Sequence, residues 1–188
     1  MKYRLDIDDD TPFDGWAFVL FQTTTPAYML ADSLNRLYDY RLARIDDLTT
    51  PSASWPLYTF EDYVAHLKFF LLESPSSGSA WETGDKLLAV AGESAEAEAD
   101  ALCADFNDPE PYDPADLLAA EHAEMLNRLL AGFTIVSLID FAQMPAHSKR
   151  RTVAEQCCRE IIDAIEKRHL DMNADERRRL SENFFLAN

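Results

Sequence analysis

The stretch Trp16–Gln22 places the strongest constraint on what this chain can fold into. It is a continuous apolar run of strand-forming residues, WAFVLFQ. Side chains alternate across a strand, so Val19 and Phe21 point to one face and Phe18 to the other, and both faces are apolar. The run therefore predicts a strand that is covered on both sides, and we expect the rest of the chain to pack around it.

A helix and a second strand follow this run. Thr25 is a good N-cap, and Pro26 suits the first helical turn because its missing N–H would have no partner there. Apolar residues then recur at helical spacing on one face, namely Ala27, Leu30, Ala31, Leu34, Leu37 and Tyr38. The second strand-like run is Tyr40–Ile45. A strand–helix–strand of this length predicts a right-handed crossover that joins two parallel strands.

The remaining elements are short apolar runs separated by loop signals. Strands are predicted at Lys2–Asp8, Leu57–Phe60, Tyr63–Glu73, Lys86–Ala91 and Phe133–Phe141, although helical spacing fits Tyr63–Glu73 nearly as well. Helices are predicted at Glu93–Phe106, between the cap Asp113 and Gly132 just past its end, and from about Ser148 to His169. The helix at Glu93–Phe106 is rich in Ala and Glu, and we expect it to be exposed on most sides. Asn173 and Glu176 have the spacing of a capping box, which predicts a separate last helix.

These elements predict an α+β fold with a mixed β-sheet of about five to six strands, a β-α-β unit near the N-terminus and a helical C-terminal part. The chain has 188 residues, of which 47% are hydrophobic, so it is long enough for a well-buried core. We expect residues 1–146 to form an α+β core domain, with residues 147–188 as a helical extension packed on it.

Cysteine usage and hydropathy favour a cytoplasmic protein of bacterial type. The three cysteines are an odd number, and Cys157 and Cys158 are neighbours that would point in different directions on a helix, so they do not suit a disulfide framework. The longest apolar runs are too short to span a bilayer. The first ten residues, MKYRLDIDDD, lack the apolar core of a signal peptide.

Charge is the most unusual property of the sequence. The chain has 34 acidic and 17 basic residues, for a net charge of −17. No Lys or Arg occurs between Lys86 and Arg128, a segment that contains eleven acids. They are Glu93, Glu96, Glu98, Asp100, Asp105, Asp108, Glu110, Asp113, Asp116, Glu121 and Glu124. Such a surface repels nucleic acid and anionic membranes and attracts basic partners over roughly a Debye length, about 10 Å.

The metal-binding patterns in the sequence are incomplete. Asp6, Asp8 and Asp10 have the spacing of the first ligands of an EF-hand, but Thr11 and Ala17 stand where that loop needs Gly and Glu. A di-iron helix would need Glu-x-x-His, usually twice, and His122 directly follows Glu121 instead. We therefore expect no metal site.

Catalytic and nucleotide-binding motifs are equally incomplete. Cys157 falls on the apolar stripe of its helix and no CxxC motif occurs, which favours an inert buried thiol. The five glycines form neither GxGxxG nor a P-loop. The histidines are dispersed and have no Ser or Cys elbow motif near them, so the sequence does not support an acyl-transfer triad. We expect no cofactor and no catalytic residues.

Several short stretches follow one another as in a known family. They are Tyr3–Asp8, Phe18–Phe21, Leu30-Ala31 with Leu34-Asn35, and Leu42, Arg44 and Asp46-Asp47-Leu48. Ile139-Asp140-Phe141 stands where that family has Val-Asp-Tyr, whereas Phe133-Thr134-Ile135 takes the place of Ile-Pro-Glu. In these respects the chain resembles the IPExxxVDY family, small uncharacterised proteins of Bacteroidetes-type bacteria. The resemblance covers about half of the chain and implies no known activity.

Together these observations predict a non-enzymatic, cytosolic protein that acts through protein–protein contact. The expected partner-binding residues are Glu93, Glu96, Glu98, Asp100, Asp105, Asp108, Glu110, Asp113 and Asp116. They would engage a basic protein surface, and a narrower hypothesis is that they imitate nucleic-acid phosphates and inhibit a nucleic-acid-binding or defence protein. The simpler explanation is acidity for solubility or salt adaptation, since Asp outnumbers Glu 20 to 14 and only 5 of the 17 bases are Lys.

Two other arrangements are compatible with the sequence. One is a small-molecule-binding protein or enzyme with a pocket near Thr23–Thr25 and Asp46-Asp47, where open α/β sheets bind ligands at the carboxyl ends of their strands. The other concerns the basic clusters at residues 149–151 and 177–179, which are too small to bind nucleic acid directly in so acidic a chain. We expect these clusters to pair with the acidic surface of the same chain, or with that of a second copy in a homodimer.

Overall fold

The structure is a computed structural model that describes residues 13–107, 117–130 and 133–186. Its elements are β1 (Trp16–Thr23), α1 (Ala27–Tyr38), β2 (Ala43–Thr49), β3 (Ser54–Asp62), β4 (Leu67–Glu73), β5 (Lys86–Ala91), α2 (Ala95–Asn107), α3 (Leu117–Leu130), β6 (Phe133–Leu138) and α4 (Lys149–Leu186). The strand predicted at Lys2–Asp8 and the aspartates of the EF-hand comparison lie outside the described residues.

The six strands form one sheet in the order β2-β3-β4-β5-β1-β6. β1 pairs antiparallel with β5 on one side and with β6 on the other, so that Val19 lies opposite both Leu88 and Leu138. β4 pairs antiparallel with β3 and with β5. The predicted α+β class and the sheet of about six strands are confirmed, but the sheet is antiparallel rather than mixed.

The strand–helix–strand unit predicted near the N-terminus is present, but its two strands are not neighbours in the sheet. β1, α1 and β2 do follow one another along the chain, but β3, β4 and β5 lie between β1 and β2 in the sheet. The strand–helix–strand pattern is local, and nothing within it specifies which strands will pair. Here the neighbours of β1 come from much later in the chain.

β1 is buried on both faces, as its sequence predicts. Val19 and Phe21 are fully buried in a core formed with α1 and α2. Phe18 and Leu20 are buried on the opposite face. There the ring of Phe18 meets the ring of Phe13 edge-on, with centroids 5.8 Å apart.

Helices α1 and α2 each bury one face. The N-cap of α1 is Pro26 rather than the predicted Thr25, whose N–H instead donates to Thr23 Oγ1 at 3.0 Å. The expected apolar face of α1 is buried at Ala27, Leu30, Ala31, Leu34 and Leu37. Helix α2, which the sequence predicts to be exposed on most sides, buries one face at Ala95, Ala99, Leu102, Cys103 and Phe106.

Helix α4 begins where the sequence predicts and continues beyond the predicted end. Ser148 Oγ accepts a hydrogen bond from the N–H of Arg151 at 3.1 Å, as an N-cap does. The helix then runs without a break to Leu186, so the capping-box pattern at Asn173 does not begin a separate helix. In the described residues, no helix combines the length and apolarity needed to cross a membrane.

The chain divides into two compact units that alternate along the sequence. Unit 1 comprises Met1–Ile45, Leu57–Glu73 and Gly84–Ile139, and unit 2 comprises Asp46–Pro56, Ser74–Thr83 and Asp140–Asn188. Unit 1 contains the helix-covered core, and unit 2 contains α4. The expected division at residues 146 and 147 stays a prediction.

Candidate functional site on helix α2

Helix α2 presents its carboxylates on two flanks rather than in one band. Its acidic residues are Glu96, Glu98, Asp100 and Asp105, and the helix has no basic residue. At 3.6 residues per turn, Glu96 and Asp100 fall on one side of the buried face, and Glu98 and Asp105 fall on the other. The two pairs therefore meet different surroundings.

The first group consists of the outer carboxylates, defined as Glu93, Glu96 and Asp100. Glu93 precedes the helix, and all three residues are exposed. Among the described residues, the ion pairs join other side chains, and no Lys or Arg lies within ion-pair distance of these three. Their negative charge is therefore presented to solvent, and no cation in the described part of the chain forms an ion pair with it.

The second group consists of the inner carboxylates, Glu98 and Asp105, which are half-buried beside two tyrosines. The hydroxyl of Tyr40 donates to Glu98 Oε1 at 2.5 Å. Burial raises the pKa of Tyr40 far above its ordinary value, and the bond to Glu98 adds to this effect. Burial likewise raises the pKa of Tyr38, together with the neighbouring charge of Asp105. The inner carboxylates thus have a structural role inside unit 1.

The structure locates only part of the predicted partner-binding set. Glu93, Glu96, Glu98, Asp100 and Asp105 are described, whereas Asp108, Glu110, Asp113 and Asp116 lie outside the described residues. On α3, Glu124 pairs with Arg128 one turn later, at 2.5 Å. The described acids of this set therefore fall into two groups with different surroundings, and the partner-binding role predicted for the whole set stays a prediction.

The turn between β3 and β4 consists of Tyr63–His66 and carries two exposed apolar side chains, Tyr63 and Val64. The sequence predicts a strand at these residues. We call these four residues the hairpin tip. The side chain of Tyr63 is 76% exposed and that of Val64 is 93% exposed. Asp62 accepts hydrogen bonds from the N–H of Ala65 at 3.0 Å and of Val64 at 2.8 Å, and these bonds lower the pKa of its carboxyl. An Asp at the end of a strand was the available signal for this turn.

Unit 2 contains a cavity of about 400 Å³ between α4 and residues 52 and 78–80. Its polar groups bond one another: Glu160 accepts from Gln156 Nε2 at 3.0 Å and also from Ser52, and both lower the pKa of its carboxyl. Burial raises the pKa of the Cys157 thiol to about 11, so little thiolate forms at neutral pH. The cavity is lined by groups that hold a loop against a helix, and burial keeps its thiol protonated at neutral pH.

Lys86 is a buried charge that the sequence reading missed. Its side chain is almost completely buried, and Nζ donates to the carbonyl oxygen of Gly84 and lies 4.0 Å from Glu73 Oε1. Burial lowers the pKa of Lys86, an effect that Glu73 and Asp85 oppose. A lowered pKa suits a nucleophilic amine, but this amine is closed off from solvent and does not line the cavity described above. We assign it a structural role, and a lone lysine in an apolar strand was the signal for it.

The alternative pocket near Thr23–Thr25 and Asp46-Asp47 stays a prediction, and strands β1 and β2 are not neighbours in the sheet. Thr23 Oγ1 is engaged in a local turn, as described above. Ser54 Oγ donates to Asp47 Oδ2 at 3.4 Å. In the part of the chain that the structure describes, no group of three or more His, Cys, Asp or Glu side chains could hold a metal ion.

Neither a family model nor a curated protein nor a solved structure matches this chain. The resemblance to the IPExxxVDY family therefore stays a prediction. Function has to be inferred from the side chains themselves.

Proposed function

We propose that this chain is a non-enzymatic protein that binds a basic protein surface through the outer carboxylates. The observation that supports this most is the exposure of Glu93, Glu96 and Asp100 with no Lys or Arg at ion-pair distance among the described residues. The inner carboxylates are engaged with tyrosines, so they do not belong to the proposed contact surface.

Binding would begin with electrostatic steering of the partner and would then depend on several weak ion pairs. A net charge of −17 attracts a basic partner and speeds its approach. Each exposed ion pair contributes only about 0.2–1 kcal/mol, so several contacts must act together and binding must weaken as salt is added.

We place this activity in the cytoplasm. Cys103, Cys157 and Cys158 are unpaired thiols, and all three are buried. A reducing compartment keeps such thiols unpaired.

The test compares two variants that change the net charge equally. Glu96→Gln/Asp100→Asn neutralises two outer carboxylates, and Asp163→Asn/Glu166→Gln neutralises two exposed carboxylates on α4. Each immobilised protein is incubated with a cytosolic extract, and retained proteins are eluted with rising salt, purified and titrated individually. We expect a basic protein whose affinity falls in the α2 variant and not in the α4 variant. An equal loss in both variants would mean that only net charge matters, and the proposal would be wrong.

The narrower form of the proposal, imitation of nucleic-acid phosphates, is tested on the same purified partner. If the outer carboxylates occupy a nucleic-acid site, the wild-type chain displaces duplex DNA from the partner and the α2 variant does so less well. Simultaneous binding of DNA and this chain would exclude imitation and leave ordinary protein–protein contact.

A further inference from the structure

We propose that the hairpin tip is the apolar anchor of the same binding surface, and that the partner offers an apolar pocket rimmed by Lys or Arg. This inference rests on the proposed function and specifies the chemistry of the partner. It is carried by the exposure of Tyr63 and Val64, and by the close approach of His66 in the same turn to Gly92, the residue before Glu93.

The first step is the exposure of the pair itself. Turn residues are usually polar or glycine, and an isolated exposed apolar side chain is unremarkable. Here a large aromatic and a β-branched side chain follow one another at the end of a hairpin, with most of their surface in water. Aromatic side chains at the centre of a contact are the residues that most often dominate binding energy.

The second step is the rigidity of the tip. The carboxylate of Asp62 fixes the N–H groups of Val64 and Ala65. His66 has a left-handed backbone with φ of 55°. The two strands that lead into the turn pair in register up to Asp62 and Leu67. A preformed tip loses little conformational freedom when it enters a pocket, which favours its use as an anchor.

The third step is the position of the tip within unit 1. A Cβ atom placed on Gly92 would lie 2.5 Å from the carbonyl oxygen of His66, so the backbones of the two residues are in contact. Gly92 directly precedes Glu93, the first outer carboxylate. The hairpin tip therefore lies beside the start of the acidic surface.

The fourth step is the charge around the tip. Asp62 is ionised at neutral pH like any ordinary Asp carboxyl, and its two backbone hydrogen bonds lower its pKa further. Lys68 Nζ lies 3.6 Å from Glu61 Oε1, so this cation has an acidic partner within the hairpin. An apolar centre beside unneutralised carboxylates fits a partner whose apolar pocket is surrounded by cations. It does not fit an anionic membrane, which the acidic surface would repel.

The experiment uses two Lys-rich peptides of equal length and charge as probes. One carries Leu and Phe between its lysines, and the other carries Ser at the same positions. Affinities for the full chain are measured by fluorescence anisotropy at physiological salt. We expect the peptide with Leu and Phe to bind about tenfold more tightly, which corresponds to one well-placed apolar anchor.

Two variants assign that advantage to the hairpin tip. Tyr63→Ser/Val64→Ser should abolish it and leave the affinity for the Ser peptide unchanged. Tyr28→Ser/Met29→Ser is the matched control, because it removes another exposed apolar pair, 63% and 49% exposed, on α1. This control should keep the tenfold advantage. Circular dichroism of both variants verifies that they are folded.

Four other outcomes would each contradict either the apolar anchor or the proposed function. Equal binding of the two peptides by the wild-type chain would overturn the anchor and leave the proposed function intact. If both apolar variants lose the tenfold preference for the peptide with Leu and Phe equally, that preference comes from non-specific hydrophobic contact. The proposal that the hairpin tip is an anchor would then be wrong as well. Absence of any salt-dependent peptide binding would overturn the proposed function itself. Binding of the wild-type chain, but not of the tip variant, to neutral phosphatidylcholine vesicles would assign the tip to a membrane instead.

Discussion

The hydroxyl of Tyr40 donates a 2.5 Å hydrogen bond to the carboxylate of Glu98, a residue 58 positions further along the chain. The ring of Tyr40 also lies against that of Phe69, with centroids 4.5 Å apart. A single side chain thus connects the segment before β2 with helix α2 and with the core. Part of the acidity of α2 therefore serves folding rather than recognition.

Replacing Tyr40 by Phe should lower the free energy of unfolding by about 1–2 kcal/mol, because the half-buried carboxylate of Glu98 loses its donor while the ring contact with Phe69 remains. Urea denaturation followed by circular dichroism measures the change. Tyr28→Phe on exposed surface is the control, and it should stay within about 0.5 kcal/mol of the wild type. Unchanged stability of Tyr40→Phe would show that the hydroxyl contributes nothing.

Neutralisation should destabilise the fold on one flank of α2 and leave its stability almost unchanged on the other. Glu98→Gln/Asp105→Asn should destabilise the fold by about 1–3 kcal/mol, since both side chains are half-buried beside tyrosines. Glu96→Gln/Asp100→Asn should stay within about 0.5 kcal/mol, because both side chains are exposed. Chemical denaturation of the two double variants under identical conditions provides the comparison. Equal destabilisation would contradict the division into inner and outer carboxylates.

Stability should fall at alkaline pH because of Tyr38 and Tyr40. Their pKa is raised in the folded state, so above about pH 10 the unfolded chain releases these protons while the folded chain retains them. The resulting stabilisation is complete below that pH and then declines by up to about 1.4 kcal/mol per pH unit for each tyrosine. We expect the urea midpoint to drop above pH 10, and to drop less in Tyr38→Phe/Tyr40→Phe.

Lys86 acts in the opposite sense, which separates the two effects experimentally. Its pKa is lowered in the folded state, so as the pH rises the folded chain releases this proton before the unfolded chain does. Between the two pKa values the free energy of unfolding therefore increases with pH. This contribution is complete once the unfolded lysine has also lost its proton, at about pH 10.4. A decline that is equally steep in the double tyrosine variant would contradict the assignment to Tyr38 and Tyr40.

Gly92 should tolerate a side chain poorly, because it has both an unusual backbone and a close neighbour. Its φ is +140°, and a Cβ there would meet the carbonyl oxygen of His66 at 2.5 Å. We expect Gly92→Ala to cost about 2–4 kcal/mol of unfolding free energy. Gly84→Ala is the matched control, since Gly84 has φ of +87° and open space around its Cβ position, and it should cost about 1 kcal/mol. Thermal denaturation of both variants tests this, and equal costs would refute the contact.

The sequence predicts those elements whose signals are local. Strand β5 was predicted with its observed bounds, Lys86–Ala91, because a dense apolar run ends at a glycine. The start of α4 follows from the capping side chain of Ser148. The pairing of β1 could not be predicted, because its partners β5 and β6 lie far along the chain and each strand carries the same apolar pattern.

The candidate site could be predicted only in part for a related reason. The buried face of α2 consists largely of small residues such as Ala95, Ala99 and Cys103, which do not stand out as an apolar stripe. The acids on that helix look equivalent in sequence, and only the distant Tyr40 distinguishes Glu98 from its neighbours. The tip residues alternate in polarity with those around them, a pattern that predicts a strand through Val64 rather than a turn.

The two outermost strands of the sheet differ in how they meet other molecules. β2 exposes Arg44, Asp46 and Asp47, and a foreign strand laid along it would have to accommodate these charges. β6, at the opposite end of the strand order, has the uncharged sequence FTIVSL. A strand added at β6 would therefore meet no charge there, although the carbonyl oxygen of Val136 already accepts a hydrogen bond from Asn107 Nδ2 at 3.0 Å. A lysine introduced at the exposed Ile135 would place a charge on this strand and oppose such addition.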